Sequence, residues 1–426
     1  MIRRVFINGY KSLRQVDLPL YPLTVIVGPN ASGKSNLFDA LGLLSRMVTS
    51  RSLSDAFNYH RGDPLEAFDY GHEGISGLLR REEVSFTIQV DVQLDDSVVE
   101  STEEMIRKYV SRTSNGSGSR RVVERLLRYS LQVGMNPQTG VLRVLDESLR
   151  ALKEQDGHLT PDERRRPFLE RIGDKIRLRM EGQARPSEYE VGLSFTIVSQ
   201  PLHPPHYPHL VAFREELSRW QFYYFEPQLM REENAVKETL NLTPRGGDLA
   251  AFYYTLRNRK PQQFLNLEAA LCTLVPSIAQ IMPELTEEGK VRLKVNEHGV
   301  DFTAKVISEG TLRLLGLMAI LNPENSATVI GFEEPENGVH PRRLKLIADL
   351  LRNASEYKQV LVNTHSPVLP DYLQDAHLVT CSKQATSSVF RPLQQEQGLF
   401  RSPSVEEALE DEPSTVSQRI LRGDWG

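Results

Sequence analysis

Gly28-Pro29-Asn30-Ala31-Ser32-Gly33-Lys34-Ser35 satisfies every position of the phosphate-binding pattern G-x-x-x-x-G-K-[ST]. Leu23-Thr24-Val25-Ile26-Val27, just before it, is a short apolar and mostly β-branched run, which predicts a buried strand. Leu37, Phe38, Leu41, Leu44 and Met47, just after it, recur at helical spacing. Strand, glycine loop and helix in this order aim backbone N–H groups at a phosphate from a helix N-terminus. Gly28 and Gly33 allow turns that a Cβ hinders. Lys34 brings a point charge to β- and γ-phosphates, and the Ser35 hydroxyl is a candidate Mg²⁺ ligand.

Three further stretches carry chemistry. Ala327-Thr328-Val329-Ile330-Gly331-Phe332-Glu333-Glu334-Pro335-Glu336 is an apolar strand ending in acids. Beside a phosphate loop, Glu333 is the candidate for the Mg²⁺ shell, although Asp is usual there, and Glu334 for orienting or deprotonating the attacking water. Glu336 reads as structural, at the start of the next helix. Ile307-Ser308-Glu309-Gly310-Thr311-Leu312-Arg313 opens a helix, with Ser308 as N-cap and Gly310 permitting close backbone approach. Val360-Leu361-Val362-Asn363-Thr364-His365-Ser366-Pro367 delivers His365 at a strand end, where a γ-phosphate sensor is needed.

The 426-residue chain is 39% hydrophobic and 25% charged, with a net charge of −5. That composition suits a soluble globular protein with ample core, and its charge does not advertise nucleic-acid binding, although a local basic face stays open. No apolar run approaches the ~20 residues of a membrane span. The N-terminus turns polar at Asn8, too early for a signal peptide. Two cysteines, Cys272 and Cys381, lie far apart, so a reducing cytoplasm is expected.

Along the chain, Ile2 to Ile7 predicts a first strand, followed by a turn at Tyr10-Lys11-Ser12. Val84 to Val92, Tyr129 to Val133, Val141 to Leu145, Ile176 to Met180 and Tyr189 to Val198 predict short strands of a β-rich lobe. Ser111 to Arg121 has linker composition, and the charged run 146–175 around Arg164-Arg165-Arg166 reads as a solvated helix face, with a nucleic-acid or partner surface as the alternative. Helices are expected over Leu210 to Phe222, Gly246 to Arg259 and Gln262 to Met282, and a hairpin over Val291 to Val295 and Asp301 to Val306. Helix 309–321, strand 327–332, helix 341–353 and strand 359–363 then alternate as in a parallel sheet. His203, His206 and His209 stand three apart between prolines, an extended stretch that reads as a surface loop rather than a metal site.

In order and spacing the four motifs resemble ATP-binding-cassette ATPases of the RecF/SMC type, and more closely the predicted AAA-type ATPases grouped with OLD-like and AbiL-like bacterial proteins. The opening I-x-G-Y-K-S-L, the loop extended through Asn36, the tract E-E-P-E-N-G-V-H-P and the stretch Leu242 to Ala250 carry the likeness. It covers residues 1–48 and 240–380. The resemblance implies an α/β fold, a P-loop NTPase of ABC (RecF/SMC head) type with a mixed sheet core plus an inserted β-rich and helical lobe. It implies a core split over 1–80 and 300–385, a β-rich lobe over 81–200, a helical subdomain over 201–299 and a tail over 386–426.

It also implies roles. Gly28 to Ser35, with Asn36, is Walker A. Glu333 and Glu334 are the Walker B acid and catalytic glutamate. Ser308 and Gly310 form the signature that caps the γ-phosphate held by a second subunit. Asn337-Gly338 falls in the D-loop, and His365 is the switch histidine. The signature reads S-E-G-T in place of S-G-G-Q, and Gln228 is the nearest candidate for the Q-loop. Cofactors are ATP and Mg²⁺. The expected partners are a second copy, joined through the ATP sites, a separate effector or nuclease protein, and duplex DNA. The stretch after His365 is too short for a typical nuclease domain. A DNA-linked ATPase of repair, recombination or anti-phage defence and a nucleotide-gated regulator of a protein effector both stay open; a transporter ATPase fits less well.

Overall fold

The computed structural model describes residues 1–112, 121–181, 185–322, 325–373, 375–393 and 417. In chain order the elements are β1 (Ile2–Asn8), β2 (Val16–Pro19), β3 (Leu23–Val27), α1 (Lys34–Thr49), α2 (Leu53–Phe57), α3 (Gly74–Leu78), β4 (Val84–Gln93), α4 (Asp96–Arg112), β5 (Leu126–Met135), β6 (Leu142–Gln155), β7 (His158–Pro161), β8 (Leu169–Ile172), β9 (Lys175–Leu178), β10 (Ser187–Glu190) and α5 (Pro208–Ser218). There follow β11 (Trp220–Tyr223), α6 (Pro227–Met230), β12 (Asn234–Ala235), α7 (Leu249–Arg259), α8 (Pro261–Leu274), β13 (Ile278–Leu285), β14 (Lys290–Glu297), β15 (Val300–Thr303), α9 (Glu309–Ile320), β16 (Val329–Glu333), α10 (Leu344–Ser355), β17 (Gln359–Thr364), β18 (His377–Gln384) and β19 (Ser387–Pro392). The linker 113–120 and the acidic stretch 405–413 lie outside the described residues.

The chain divides into two compact units. The first comprises Met1–Tyr21, Pro29–Trp220 and Cys381–Phe390. Its antiparallel sheet runs β10-β9-β8-β6-β5-β4-β1-β2, with β7 paired to β6. Alternation explains it: Phe86, Ile88 and Val90 of β4 and Leu127, Tyr129, Leu131 and Val133 of β5 are buried between more exposed neighbours. α1 packs on α5, where the Ser45 hydroxyl donates to the Leu217 carbonyl at 2.6 Å. The charged run 146–175 is not a helix. It is the outer half of β6, then β7 and β8, because its charges alternate along antiparallel strands where one face is solvated. Tyr189 to Val198 is strand only as far as Glu190, and α4, an amphipathic helix, was not foreseen.

The second unit comprises Pro22–Gly28, Gln221–Thr380 and Arg391–Gly426. Here β16, β17, β3 and β18 lie side by side and parallel, with β11 next to β16. Val25, Val27, Ile330, Phe332, Val360 and Val362 share a core with the apolar residues of α7, α8, α9 and α10. A smaller antiparallel sheet, β12-β14-β13 with β15 on β14, completes the unit. The expected helix Gln262 to Met282 stops at Leu274. Pro276 cannot continue it, and residues from Ile278 pair with β14 instead. The helix from Leu210 likewise ends at Ser218, and Trp220 starts a strand. Pro341 opens a single 3-10 turn before α10. The segment from 386, read as tail, begins with a strand, β19.

Candidate functional site

The phosphate loop leaves the C-terminal end of β3 and enters α1. Its crest, Pro29, Asn30 and Ala31, is exposed, whereas Ser32 and Lys34 at its base are buried. Ala31 has φ +62° and Gly33 φ +102°, so the turn is held in a left-handed conformation that costs a non-glycine residue on the order of 1–3 kcal/mol. Lys34 Nζ donates to the Pro29 carbonyl at 3.0 Å. The loop is braced from behind. The Ser388 hydroxyl donates to the Ser32 carbonyl at 2.6 Å and shares a hydrogen bond with Ser12 Oγ, also at 2.6 Å. Asn36 Nδ2 donates to Ser12 Oγ at 2.8 Å, so Asn36 fastens the loop to the Lys11-Ser12 turn. A Cβ at Gly33 would overlap the Ser388 hydroxyl, a second reason for glycine there.

The acids and the histidine come together in the second unit. Parallel pairing puts Glu333 opposite Asn363 and Thr364 opposite Val27, so β16, β17 and β3 end at one edge. Glu334 sits past the end of β16 with φ +53°, and its N–H donates to the Asn363 carbonyl at 2.8 Å. His365 Nδ1 is 3.2 Å from Glu334 Oε1 and 3.9 Å from Glu336 Oε1. Glu336 is buried; its Oε1 accepts from the Thr364 hydroxyl and, at 3.3 Å, from the Ser366 N–H. Burial pushes the Glu336 carboxyl above the usual value, against the Thr364 bond. Asn337 Nδ2 donates to Glu334 Oε2 at 3.4 Å. Glu336 thus ties the strand bearing the histidine to the turn bearing the acids, more than a helix-start residue.

Ser308 is exposed and caps α9, its Oγ accepting from the Thr311 N–H at 3.2 Å. Gly310 is buried, and a Cβ there would collide with the Gly338 carbonyl oxygen. The glycine therefore lets the start of α9 lie against the Asn337-Gly338 turn. Arg231 steadies the same helix start through the Ile307 carbonyl, at 3.1 Å. Sequence reading missed Arg313 on α9. Burial lowers its pKa, opposed by Glu309, Glu334 and Glu336. A lone cation in the apolar run Leu312 to Ile320 was the available signal. Gln228 is exposed on the short α6. Leu242 to Ala250 is a cap for α7, with Thr243 N–H and hydroxyl both donating to Asp248 Oδ1 at 2.9 Å.

Of the three histidines, His203 and His206 are exposed in the loop before α5, but the third is not part of it. His209 is buried in the first turn of α5; its Nε2 accepts from the Val123 and Glu124 N–H groups at 3.1 and 3.0 Å, and its Nδ1 bonds Glu181 at 2.8 Å. Among the described residues no group of three or more His, Cys, Asp or Glu could hold a metal ion. Mg²⁺ needs none: it takes one or two protein oxygens and completes its shell with waters and substrate phosphates. The donor set of Ser35 and Glu333 fits that chemistry, and an orphaned carboxamide beside Glu333, that of Asn363, fits a hydrated ion. No described helix is long and apolar enough to cross a membrane.

A protein family described as "AAA domain, putative AbiEii toxin, Type IV TA system" matches residues 23–98 and 209–371, more than half of the chain. A 60-residue stretch is 38% identical to the DNA replication and repair protein RecF of Corynebacterium jeikeium (strain K411), covering 14% of each chain. A 44-residue stretch is 43% identical to the OLD nuclease of Thermus scotoductus (strain ATCC 700910 / SA-01), covering 10% of this chain and 8% of that one. A 92-residue stretch is 34% identical to RecF of Paenarthrobacter aurescens (strain TC1), covering 21% of each. The matches thus span about a fifth or less of these curated relatives. Among solved structures, an SMC head bound to the C-terminal winged-helix domain of ScpA aligns with TM-score 0.53 and 13% identity, over 93% of this chain and 98% of that one. An SMC head with an extended coiled coil, bound to the C-terminal domain of ScpA derived from Pyrococcus furiosus, gives TM-score 0.51 and 12% identity over 96% and 98%. At these identities the likeness is one of fold. The chain belongs to the AAA-domain family described as putative AbiEii toxin, Type IV TA system, with local similarity to RecF and an OLD nuclease and the fold of an SMC head.

Proposed function

We propose that the chain is a Mg²⁺-dependent ATPase that hydrolyses ATP to ADP and phosphate in a head-to-tail pair of copies. The observation that carries this reading is the Glu334–His365 pair at the carboxyl ends of neighbouring parallel strands, on the sheet whose β3 leads into the phosphate loop. Gly28 to Ser35 and Asn36 cradle the triphosphate, and Lys34 pairs with the β- and γ-phosphates. Ser35 and Glu333 hold Mg²⁺, which when bound supplies positive charge to the phosphate oxygens. Glu334 orients the attacking water and takes its proton. His365, with Nδ1 3.2 Å from Glu334 Oε1, senses the γ-phosphate. Ser308 and Gly310 of a second copy cap that phosphate, with Asn337-Gly338 as D-loop and Gln228 as Q-loop. ATP touches both copies only when they close, so it favours closure by differential affinity. Residues 1–80 with 300–385 serve as the nucleotide-binding core, and the remainder reads out the cycle.

Sizing the Glu334→Gln variant with and without ATP tests the reading. ATP-dependent dimers are expected, because binding persists while turnover stops. A size unchanged by ATP overturns it. Two uses of the cycle have support. The RecF and OLD nuclease matches favour a DNA-linked process, in repair, recombination or anti-phage defence, with a separate effector or nuclease. The family description favours a nucleotide-gated regulatory subunit of a toxin or effector complex that does not bind DNA.

A further inference from the structure

β17 is buried along its whole length; four of its six residues, two valines, a leucine and a threonine, suit a strand interior, whereas asparagine is depleted there. Asn363 is nevertheless only 1% exposed, and neither its Oδ1 nor its Nδ2 has a hydrogen-bond partner among the described residues. Each such atom costs on the order of 1–3 kcal/mol when left unpaired. A buried carboxamide with both ends open points to a group that is itself both donor and acceptor, or to two groups side by side.

Its place in the sheet says which. Asn363 is the register partner of Glu333 on β16 and of Ile26 on β3. Paired residues on adjacent strands stand on the same face, with strands about 4.8 Å apart. Asn363 therefore shares a face with the Walker B carboxylate, not with Thr364 and Glu336 on the other side of the strand. The opposite face takes Val25, Val27, Ile330, Phe332, Val360 and Val362, whereas Asn363's own face carries the fully buried Ile26, Val329 and Leu361, so Asn363 is a polar group at the end of an otherwise apolar row. The backbone couples the two acids to it as well, since the Asn363 carbonyl receives the Glu334 N–H.

We infer that Asn363 is a positioning residue for the hydrated Mg²⁺ at Glu333: its Oδ1 accepts a hydrogen bond from a metal-bound water, and its Nδ2 donates to a phosphate oxygen of the nucleotide. The assignment rests on the Mg²⁺·ATP reading above. A water on a cation has its lone pair engaged and offers only hydrogens, which suits Oδ1. A phosphate oxygen offers only acceptors, which suits Nδ2. A water held between the Glu333 carboxylate and the ion needs a second anchor.

The test uses full-length Glu334→Gln protein, in which nucleotide is not consumed, with and without Asn363→Leu. Retention of a fluorescent ATP analogue is titrated with Mg²⁺, and Mn²⁺ binding is followed by electron paramagnetic resonance. Asn363→Leu is expected to raise the half-saturating Mg²⁺ concentration ten- to a hundred-fold, the range for loss of an outer-shell partner, while retention in EDTA falls by a smaller factor, that of the one phosphate hydrogen bond. Its melting temperature is expected to hold or rise, because an unpaired polar group leaves the interior. Asn363→Ala, measured alongside, is expected to show the same Mg²⁺ shift. An unshifted Mg²⁺ dependence in both variants overturns the assignment, as does equal loss of retention with and without Mg²⁺. If the parent retains nucleotide but Mg²⁺ makes no difference, the Mg²⁺ reading falls and this assignment with it; if the parent retains none, the ATPase reading itself falls.

Discussion

Gly310 shows how one residue can carry two demands. The proposed function makes it a phosphate-capping residue, and the structure adds that its missing Cβ admits the Gly338 carbonyl of the same chain. Gly310→Ala is therefore expected to lower stability by about 1–3 kcal/mol through overpacking against backbone, measured as a fall in melting temperature of the nucleotide-free protein. An unchanged melting temperature would show that the Gly338 turn yields freely, leaving the glycine to the capping role alone. Residues whose meaning is local were legible: Lys34 in its loop, Ser308 as a cap, His365 after an apolar strand. Arg313, Glu336 and Asn363 were not, because each is defined by what is buried beside it. Burial is not a property of a residue's sequence neighbours.

Among the elements, β6 carries the clearest tension. Its register shifts against β5 between Gln132 and Val133, a bulge that re-aims the following side chains. Glu147, just beyond, is fully buried. It accepts from the Tyr129 hydroxyl at 2.9 Å and from the Ile197 and Val198 N–H groups at 2.7 and 3.2 Å. Thr196, beside them, donates to the Met47 carbonyl of α1 at 3.0 Å. Burial outweighs those donors and pushes the carboxyl from 4.5 up to about 7. Between these values the folded chain holds a proton that the unfolded chain has released. Stability contributed by this group therefore falls as pH rises through that window, by on the order of 3 kcal/mol. Glu147→Gln keeps an acceptor and removes the charge. Relative to the parent, its melting temperature is expected to be higher at about pH 8 than at about pH 5; a pH-independent difference would rule out the titration. Strands and helices with a clean period were legible, as β4 and α9 were. The run 146–175 misled because alternating charges on solvated strands look like one polar helix face until pairing is known.

At the scale of the molecule, two compact units share the motifs between them, and the larger question is what the nucleotide cycle drives. With a net charge of −5, any DNA contact must come from a local basic face. In the DNA-linked reading, duplex DNA raises the ATPase rate, and that stimulation collapses between about 50 and about 200 mM salt as counterion release loses its advantage. Absence of stimulation at the lower salt favours the regulatory reading, and a stable complex with a protein effector is then expected.

The sequence by itself determined the motifs on which the proposed nucleotide chemistry rests. A phosphate loop, a strand ending in acids and a strand ending in histidine each declare themselves within about ten residues, because backbone conformation and strand period are local properties. Only the tertiary structure decided that β3 lies between β17 and β18, that Gly310 meets Gly338, and that Asn363 stands beside Glu333. Those facts depend on strand order and on which face each side chain takes. Pairing across more than three hundred residues of chain sets both, and no short stretch contains that information.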